Sequence, residues 1–314
     1  MLMSISTYFF IYRLTTKYNN FKEMIYMENK TMVIDAIDMC EENIVSLIDE
    51  VKIIKEKIGR KPKFVIINAS DNEANSRYIK GKIKEGEKAG LDVEVIKFKR
   101  NCTNNDVLSI INLCNRSKTP VILQLPTFEH LDSKKLIDEI KHNVDADGFS
   151  REWIGEVNLG NDKLVAPATP KGVINILEYH KVELEGKNVL VIGKSNHVGK
   201  PLCSMLMNRG ATVINTNSKT KDLSSLVKIS DVIISCVGKP NLINPKDVKE
   251  DSVLIGVGFT YIDRKQVLDF DVDQIVRMNK ARLVSNRINC TGKATINSLI
   301  SNVVYLYKLN YEIE

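Results

Sequence analysis

Tyr78 and Lys82 stand four residues apart in the run Asn75-Ser-Arg-Tyr-Ile-Lys-Gly-Lys-Ile-Lys84, a spacing that stacks their side chains on one face of a helix. A lysine held near an apolar face beside a tyrosine hydroxyl has its pKa lowered and can move a proton. On spacing alone, a solvated surface lysine with its stem laid along the helix is the favoured alternative. Ile79, Ile83 and Ala89 are candidates for the packed side. Gly81 and Gly86 weaken the helix and point to close approach by another backbone or a ligand. Two further polar residues stand where strands end: Gln124 interrupts Val121-Ile-Leu-Gln-Leu-Pro126, and Asp147 sits in Asp145-Ala-Asp-Gly-Phe149. Residues at the carboxyl ends of parallel strands face the crevice where ligands bind. A buried amide bonded to backbone is an equal alternative for Gln124, as is an ordinary Asp-Gly turn for Asp147.

A different chemistry is written in Asn188-Val-Leu-Val-Ile-Gly-Lys-Ser-Asn-His-Val-Gly-Lys-Pro201. Val189 to Ile192 read as a strand buried on both faces, Gly193 ends it, and helical spacing resumes over Val198 to Asn208. In a doubly wound sheet this turn holds a nucleotide pyrophosphate, because the amides and dipole of a helix start favour anions. Gly193 and Gly199 keep the first and third glycines of the dinucleotide fingerprint, and Ser195 takes the place of the second. Any other α/β sheet whose glycines serve packing is the alternative. Context favours dinucleotide binding: Gly210, Ala211-Thr-Val-Ile-Asn215 and Ser230-Asp-Val-Ile-Ile-Ser-Cys236 follow at the intervals of a βαβαβ unit. The second strand of that unit runs into Asn217-Ser-Lys-Thr220 and supplies no acid for the ribose hydroxyls.

These groups need elements to hold them. Residues from Thr31 to Gly59 read as one long helix, with Ile34, Ile37, Met39, Ile44, Leu47, Ile48, Val51 and Ile54 recurring mainly at threes and fours. Strand Phe64 to Asn68, helix Asn75 to Ala89, strand Val93 to Phe98, helix Asp106 to Cys114, strand Val121 to Leu125 and helix Ser133 to His142, capped by Asp132, follow in alternation. That alternation predicts a first α/β domain with a mostly parallel sheet. Thr169 as N-cap and Pro170 at the first helical position would open a helix leading into the nucleotide domain. A last helix, Ala294 to Tyr307, is apolar enough to dock on a neighbour. The predicted division is an N-terminal extension at 1–30, a catalytic domain at 31–150, a doubly wound Rossmann-type domain at 151–292, and a C-terminal helix at 293–314 packing back on the catalytic domain. A cleft is expected between the two α/β domains.

Composition bounds the partners. The chain has 314 residues and a net charge of +6, but its Lys and Arg are scattered among 39 acidic residues with no basic tract. Nucleic acid is therefore not expected, and small anions are the better match. Six cysteines without a CxxC pair indicate neither a zinc site nor a disulfide framework, so no metal is expected and a reducing compartment suits them. The apolar run Tyr8 to Tyr12 is too short for a signal-peptide core or a membrane span, and Met24 and Met27 are candidate starts of translation. A cytoplasmic protein with no membrane partner is expected, an organelle being the alternative.

Together these segments resemble the bifunctional methylenetetrahydrofolate dehydrogenase/methenyltetrahydrofolate cyclohydrolase family, over roughly Thr31 to Tyr307. Its YVxxKxK helix is matched by Tyr78-Ile-Lys-Gly-Lys-Ile-Lys84, its VQLP strand end by Leu123-Gln-Leu-Pro126, and its DVDGF turn by Asp145-Ala-Asp-Gly-Phe149. Its PCTPxG helix start is matched by Pro167-Ala-Thr-Pro-Lys-Gly172, and its GRSxxVGxP turn by Gly193-Lys-Ser-Asn-His-Val-Gly-Lys-Pro201. Five motifs in the family's order are far more specific than any one.

The resemblance implies oxidation of methylenetetrahydrofolate with NADP, NAD being possible, and hydrolysis of the methenyl product to formyltetrahydrofolate for purine synthesis. Lys82 would be the central catalytic group, Tyr78 would position it and stack near the substrate, Gln124 would tune it, and Asp147 would hold the polar edge of the pterin. The cofactor would lie on Gly193, Ser195, Val198 and Gly199. Lys194 and Lys219 occupy the places of arginines in the family's GRS and HSRT segments and, with Ser218, would surround a ribose phosphate. A homodimer is implied by the resemblance alone.

Departures fall on loops around these sites. PGGVGPMT is represented by Ile288-Asn-Cys-Thr-Gly-Lys-Ala-Thr295, GDDPAS by Ser70-Asp-Asn-Glu-Ala-Asn75, DVGIN by Gly256-Val-Gly-Phe-Thr260, and the second proline of LPLP by Phe128. Two other readings stay open: a nicotinamide dehydrogenase for another small anionic substrate, and a non-catalytic or single-activity descendant that binds folate or nucleotide.

Overall fold

A computed structural model describes residues 30–263 and 265–313. Apart from Lys30, the N-terminal extension expected at 1–30 lies outside them. Three strands, β2 (Lys63–Asn68), β3 (Asp92–Lys97) and β4 (Val121–Leu123), form a parallel sheet in the order β3-β2-β4. Helices Glu73–Ala89 and Asn104–Ser117 connect them, as parallel strands require a crossover. The second sheet has six parallel strands in the order β1-β11-β8-β7-β5-β6, with β1 at Met32–Ile34, β5 at Asn188–Ile192, β6 at Thr212–Thr216, β7 at Val232–Ser235, β8 at Ser252–Gly256 and β11 at Ala281–Ser285. An antiparallel hairpin, β9 (Phe259–Ile262) and β10 (Lys265–Leu268), follows β8. The strand order reverses between β5 and β7, which puts the crevice of this doubly wound sheet beside the turn after β5.

The start of the chain departs from its helical pattern. Met32, Val33 and Ile34 pair with Leu283, Val284 and Ser285 of β11, and the helix begins only at Ile37. Helical periodicity over Thr31 to Ile34 is overridden because the open edge of β11 offers backbone partners to an apolar triplet that includes the β-branched Val33 and Ile34. Ala36 N–H donates to Asn289 O at 2.8 Å and Asn286 N–H to Ile34 O at 2.8 Å, extending the join. Residues 32–34, predicted to open the first domain, thus belong to the sheet of the second.

Other boundaries move as well. The helix expected over Ser133 to His142 spans Ser133–Asp138, with Asp132 accepting from Lys135 N–H at 3.0 Å. The helix of the Pro-Ala-Thr-Pro segment runs Ala168–Tyr179 with Pro167 at the cap position and no side-chain cap bond, so Thr169 lies inside its first turn instead of capping it. The Thr169 hydroxyl instead accepts from Thr295 Oγ1 at 3.3 Å.

The last helix, Thr291–Tyr311, packs chiefly on Ala168–Tyr179 and also on Ile37–Ile58 and Glu73–Ala89. Leu299, Ile300, Val303 and Val304 enter the core around Phe64 and Ile66, each stabilising the docking by roughly 1.5–3 kcal/mol. Tyr307 pins its far end: the hydroxyl accepts from Lys63 N–H and donates to Lys63 O, both at 2.8 Å. A Cβ on Gly81 would lie 2.8 Å from Ile296 Cδ1, and one on Gly86 would lie 2.6 Å from Val93 Cγ2. The close approach inferred for these two glycines is therefore made by side chains of the last helix and β3, and it seats the Tyr78–Lys82 face against the rest of the molecule.

Candidate active site

Lys82 lies on the inner face of helix Glu73–Ala89 with 6% of its surface exposed, so the solvated-surface alternative is ruled out. Its Nζ donates to Gln124 Oε1 at 2.9 Å. Gln124 follows β4, where its backbone N–H is bound by Ile67 O at 2.9 Å and its side-chain Nε2 donates to Leu125 O at 2.9 Å. With the amide nitrogen committed to backbone, the oxygen is left facing the lysine. Burial pushes the Lys82 pKa below the ordinary lysine value, with Asp147 opposing the shift. Asn75, one turn before Tyr78, donates from Nδ2 to Pro126 O at 2.9 Å and ties the helix to the strand end.

The two aspartates of the Asp-Ala-Asp-Gly turn divide their labour. Asp145 is 3% exposed and accepts from Gly148 N–H at 3.0 Å and Ser150 N–H at 2.6 Å. It does the structural work of the turn, and burial raises its pKa to about 7. Asp147 therefore points to the cleft instead, where burial raises its pKa while Lys82 and His197 lower it. His197 belongs to the turn after β5 and lays its ring on Phe149, centroids 4.1 Å apart and 15° from parallel. Burial lowers its pKa, opposed by Asp147.

These groups meet in a cleft of about 440 Å³ lined by Tyr78, Lys82, Gln124 and Asp147 from the first sheet's side. Val198, Cys236, Val257 and Gly258 line it from the second, and Thr169, Thr291, Gly292 and Thr295 from the helices that join them. Of these, Thr169, Cys236, Val257, Gly258, Thr291 and Thr295 fall within segments read from the sequence but are not singled out there as site residues, because each is common in type and is brought to the cleft by packing. A larger cavity, about 730 Å³, lies on the far side of the turn and touches Ser195, His197 and Lys200 but none of Lys82, Gln124 and Asp147. The sequence-predicted Tyr78, Lys82, Gln124 and Asp147 all line the smaller one.

The turn after β5 is built for close backbone approach. Gly193 has φ +121°, and a Cβ on Gly199 would lie 2.1 Å from Gly193 O, so only glycine fits at 199. Ser195 Oγ accepts from Val198 N–H at 3.2 Å and Gly199 N–H at 3.3 Å, tying the turn to the start of helix Gly199–Met207. Gly193 N–H donates to Thr216 O at 2.9 Å and Asn215 Nδ2 to Gly193 O at 2.8 Å, locking the turn to the end of β6. Thr216 Oγ1 is buried there without a hydrogen-bond partner. Lys194, Ser218 and Lys219 are exposed on the loops leaving these adjacent strand ends. A tight turn, an orphaned hydroxyl and two cations at one edge fit a phosphorylated nucleotide. Among the described residues no group of three or more His, Cys, Asp and Glu is arranged to hold a metal, and no helix is long and apolar enough to cross a membrane.

Comparison with known proteins agrees with this geometry. The catalytic domain of tetrahydrofolate dehydrogenase/cyclohydrolase matches residues 34–147, and the NAD(P)-binding domain of the same family matches residues 167–311. The bifunctional protein FolD of Francisella philomiragia is 34% identical over 269 residues, covering 85% of this chain and 93% of its own. That of Staphylococcus aureus is 32% identical over 284 residues, covering 90% and 98%. The crystal structure of the bifunctional FolD methylenetetrahydrofolate dehydrogenase/cyclohydrolase from Campylobacter jejuni superposes with a TM-score of 0.84 at 31% identity, covering 89% of this chain and 99% of that one.

Proposed function

The chain belongs to the tetrahydrofolate dehydrogenase/cyclohydrolase family, and we propose that its cleft oxidises methylenetetrahydrofolate and hydrolyses the methenyl product to formyltetrahydrofolate. The observation that carries this is the buried Lys82, bonded to Gln124 and facing Asp147 between the two sheets. A bound nicotinamide cofactor supplies the hydride acceptor.

The methenyl intermediate is a cation, so a protonated lysine beside it is repelled. Burial favours the neutral amine. In that state Lys82 takes the proton of the attacking water, and Gln124 Oε1 holds the nitrogen in place while it does so. As the ring C–N bond breaks, the same nitrogen returns that proton to the departing amine, and the hydroxyl proton of the water adduct leaves to solvent as the formyl C=O forms. Asp147 accepts from the donor-rich edge of the pterin, and Tyr78 covers the arm beyond it. Gly193, Ser195, Val198 and Gly199 hold the cofactor's phosphates, with Lys194, Ser218 and Lys219 around an added ribose phosphate.

On this reading residues 31–150, apart from the strand at 32–34, are the folate module, 151–292 the nucleotide module and 293–314 a helix returning to the first. The resemblance further supports a cytoplasmic homodimer that feeds purine synthesis. Purified protein incubated with methylenetetrahydrofolate and each nicotinamide cofactor, with reduced cofactor and methenyl product followed separately, tests the proposal. Both signals should appear and methenyl product should then decay; turnover of neither folate would overturn it.

A further inference from the structure

Where the family's PGGVGPMT segment has its second proline, this chain has Lys293. The choice is locally unfavourable. Helix Thr291–Tyr311 starts with no side-chain cap bond and no acid in its first turn, and a cation there opposes the positive end of the helix dipole. A residue that breaks a local rule points to a tertiary partner. Lys293 Nζ lies 3.6 Å from Glu41 Oε1 and 3.6 Å from Glu85 Oε1, and Lys88 donates to the other oxygen of Glu41. Helices Ile37–Ile58 and Glu73–Ala89 thus hold the start of the last helix through charge. Glu85 is buried, and its Oε2 has no hydrogen-bond partner, so removing Lys293 would strip a buried carboxylate of its ion pair. Glu85 follows Lys82 by three residues on one helix, so this clamp grips the helix one turn beyond the amine.

What the clamp fixes is a bridge between the two sides of the cleft. Thr291 Oγ1 donates to Gly256 O at 2.9 Å, at the end of β8, and Gly258 just beyond lines the cleft from the nucleotide side. Gly292 lies against the folate side: a Cβ on it would be 3.6 Å from the Tyr78 hydroxyl. Ala294 is wedged against helix Ala168–Tyr179, where a Cβ on Gly172 would lie 2.8 Å from Ala294 C. The family's proline fixes its own backbone without a partner; here the ion pair does the fixing. Hydride transfer needs cofactor and folate at one separation, and a displacement of about 1 Å can cost on the order of a hundredfold. The proposed hydrolysis needs only Lys82, Gln124 and Asp147, set by the Lys82–Gln124 bond and the Asp145 turn, neither of which includes Lys293. Resting on the proposed folate chemistry, we infer that Lys293, through its ion pairs with Glu85 and Glu41, is a positioning residue for the hydride-transfer step.

Steady-state rates of the full chain, Lys293→Met, Lys293→Arg, Glu85→Gln and the double variant Lys293→Met/Glu85→Gln test this. Oxidation is followed with methylenetetrahydrofolate and NADP, and hydrolysis with methenyltetrahydrofolate supplied directly. Dehydrogenase kcat should fall about threefold to tenfold in Lys293→Met and by a smaller factor in Glu85→Gln, which leaves Glu41 on the amine. The double variant should lose no more than Lys293→Met, because both changes remove one interaction, and Lys293→Arg should stay near the parent. Hydrolysis should keep its parent kcat/KM throughout. Glu85→Gln preserves side-chain volume and reads the clamp should Lys293→Met fail to fold. Parent-like oxidation in both single variants overturns the inference, as does an equal loss of both activities, which marks a purely structural role. A parent that turns over neither folate fails the reading on which the clamp rests.

Discussion

Lys82 Nζ and Gln124 Oε1 lie 2.9 Å apart, joining a helix and a strand end 42 residues apart in sequence. The lysine is buried against an amide instead of a carboxylate, so nothing anionic in direct contact offsets the desolvation that lowers its pKa. Changing Lys82 to Met keeps the stem and removes the amine. Cyclohydrolase activity should fall by about a hundredfold or more, with thermal stability unchanged or raised because a buried amine is lost. Parent-like hydrolysis of methenyltetrahydrofolate by this variant would show that the proton is moved by another group.

Gln124→Glu alters the tuning. A carboxylate at hydrogen-bond distance stabilises the ammonium and raises the Lys82 pKa, opposing the burial effect. In the proposed mechanism the neutral amine is the active form, so the rising acid limb of the cyclohydrolase pH–rate profile should move to higher pH. A profile that stays in place, measured as kcat/KM from acid to mildly alkaline pH, would separate that limb from Lys82.

The loop at 288–294 reaches the cleft through Thr291 and Gly292, while Asn289 carries a positive φ of 58° in a segment where the family uses glycines. Lys293 points away, to Glu41 and Glu85 at 3.6 Å each. Grafting the glycine-rich family sequence should raise dehydrogenase activity more than it changes stability, since a loop at a cleft contributes positioning. Unchanged substrate affinity and unchanged rates in the graft would mean that this loop is already adequate.

The cofactor preference should be NADP over NAD. Lys194 and Lys219 are exposed at the ends of adjacent strands with no acid between them, and lysine binds phosphate as a point charge, giving a softer preference than arginine. Raising salt should shrink it by screening. Steady-state kinetics of the parent and Lys219→Ala with both cofactors decide the matter; equal kcat/KM for NAD and NADP in the parent ends the proposal.

Lys171, beside the cleft-lining Thr169, donates to Leu164 O at 2.6 Å and Asn302 Oδ1 at 3.1 Å, and burial lowers its pKa to about 8. The unfolded chain holds this proton up to about 10.4, so between those values it binds more protons than the folded chain. Stability contributed by this residue is therefore fully present above the unfolded value and lost as pH falls through about 8. Comparing Lys171→Met with the parent in urea, the difference in unfolding free energy should change between about pH 8 and pH 10 in favour of the parent. A difference independent of pH there would place the amine's pKa outside that window.

The sequence by itself determined the periodic elements and singled out the candidate site residues. Val189 to Ile192, Phe64 to Asn68 and the Gly193–Gly199 turn are local patterns, legible because strand burial and glycine conformation depend on neighbours in the chain. Lys82 was legible as a residue type at the right spacing, but its burial was not. That depends on the last helix, some two hundred residues on, pressing against Gly81 through Ile296. Tertiary structure alone decided that Met32–Ile34 is a strand, since the edge of β11 supplies the partners that helical periodicity could not reveal. It also decided which aspartate of Asp145-Ala-Asp-Gly-Phe149 serves the turn and which faces the cleft. His197 lies on Phe149 only because the turn after β5 meets the end of the first α/β unit, and contacts between distant segments leave no periodic trace in either one.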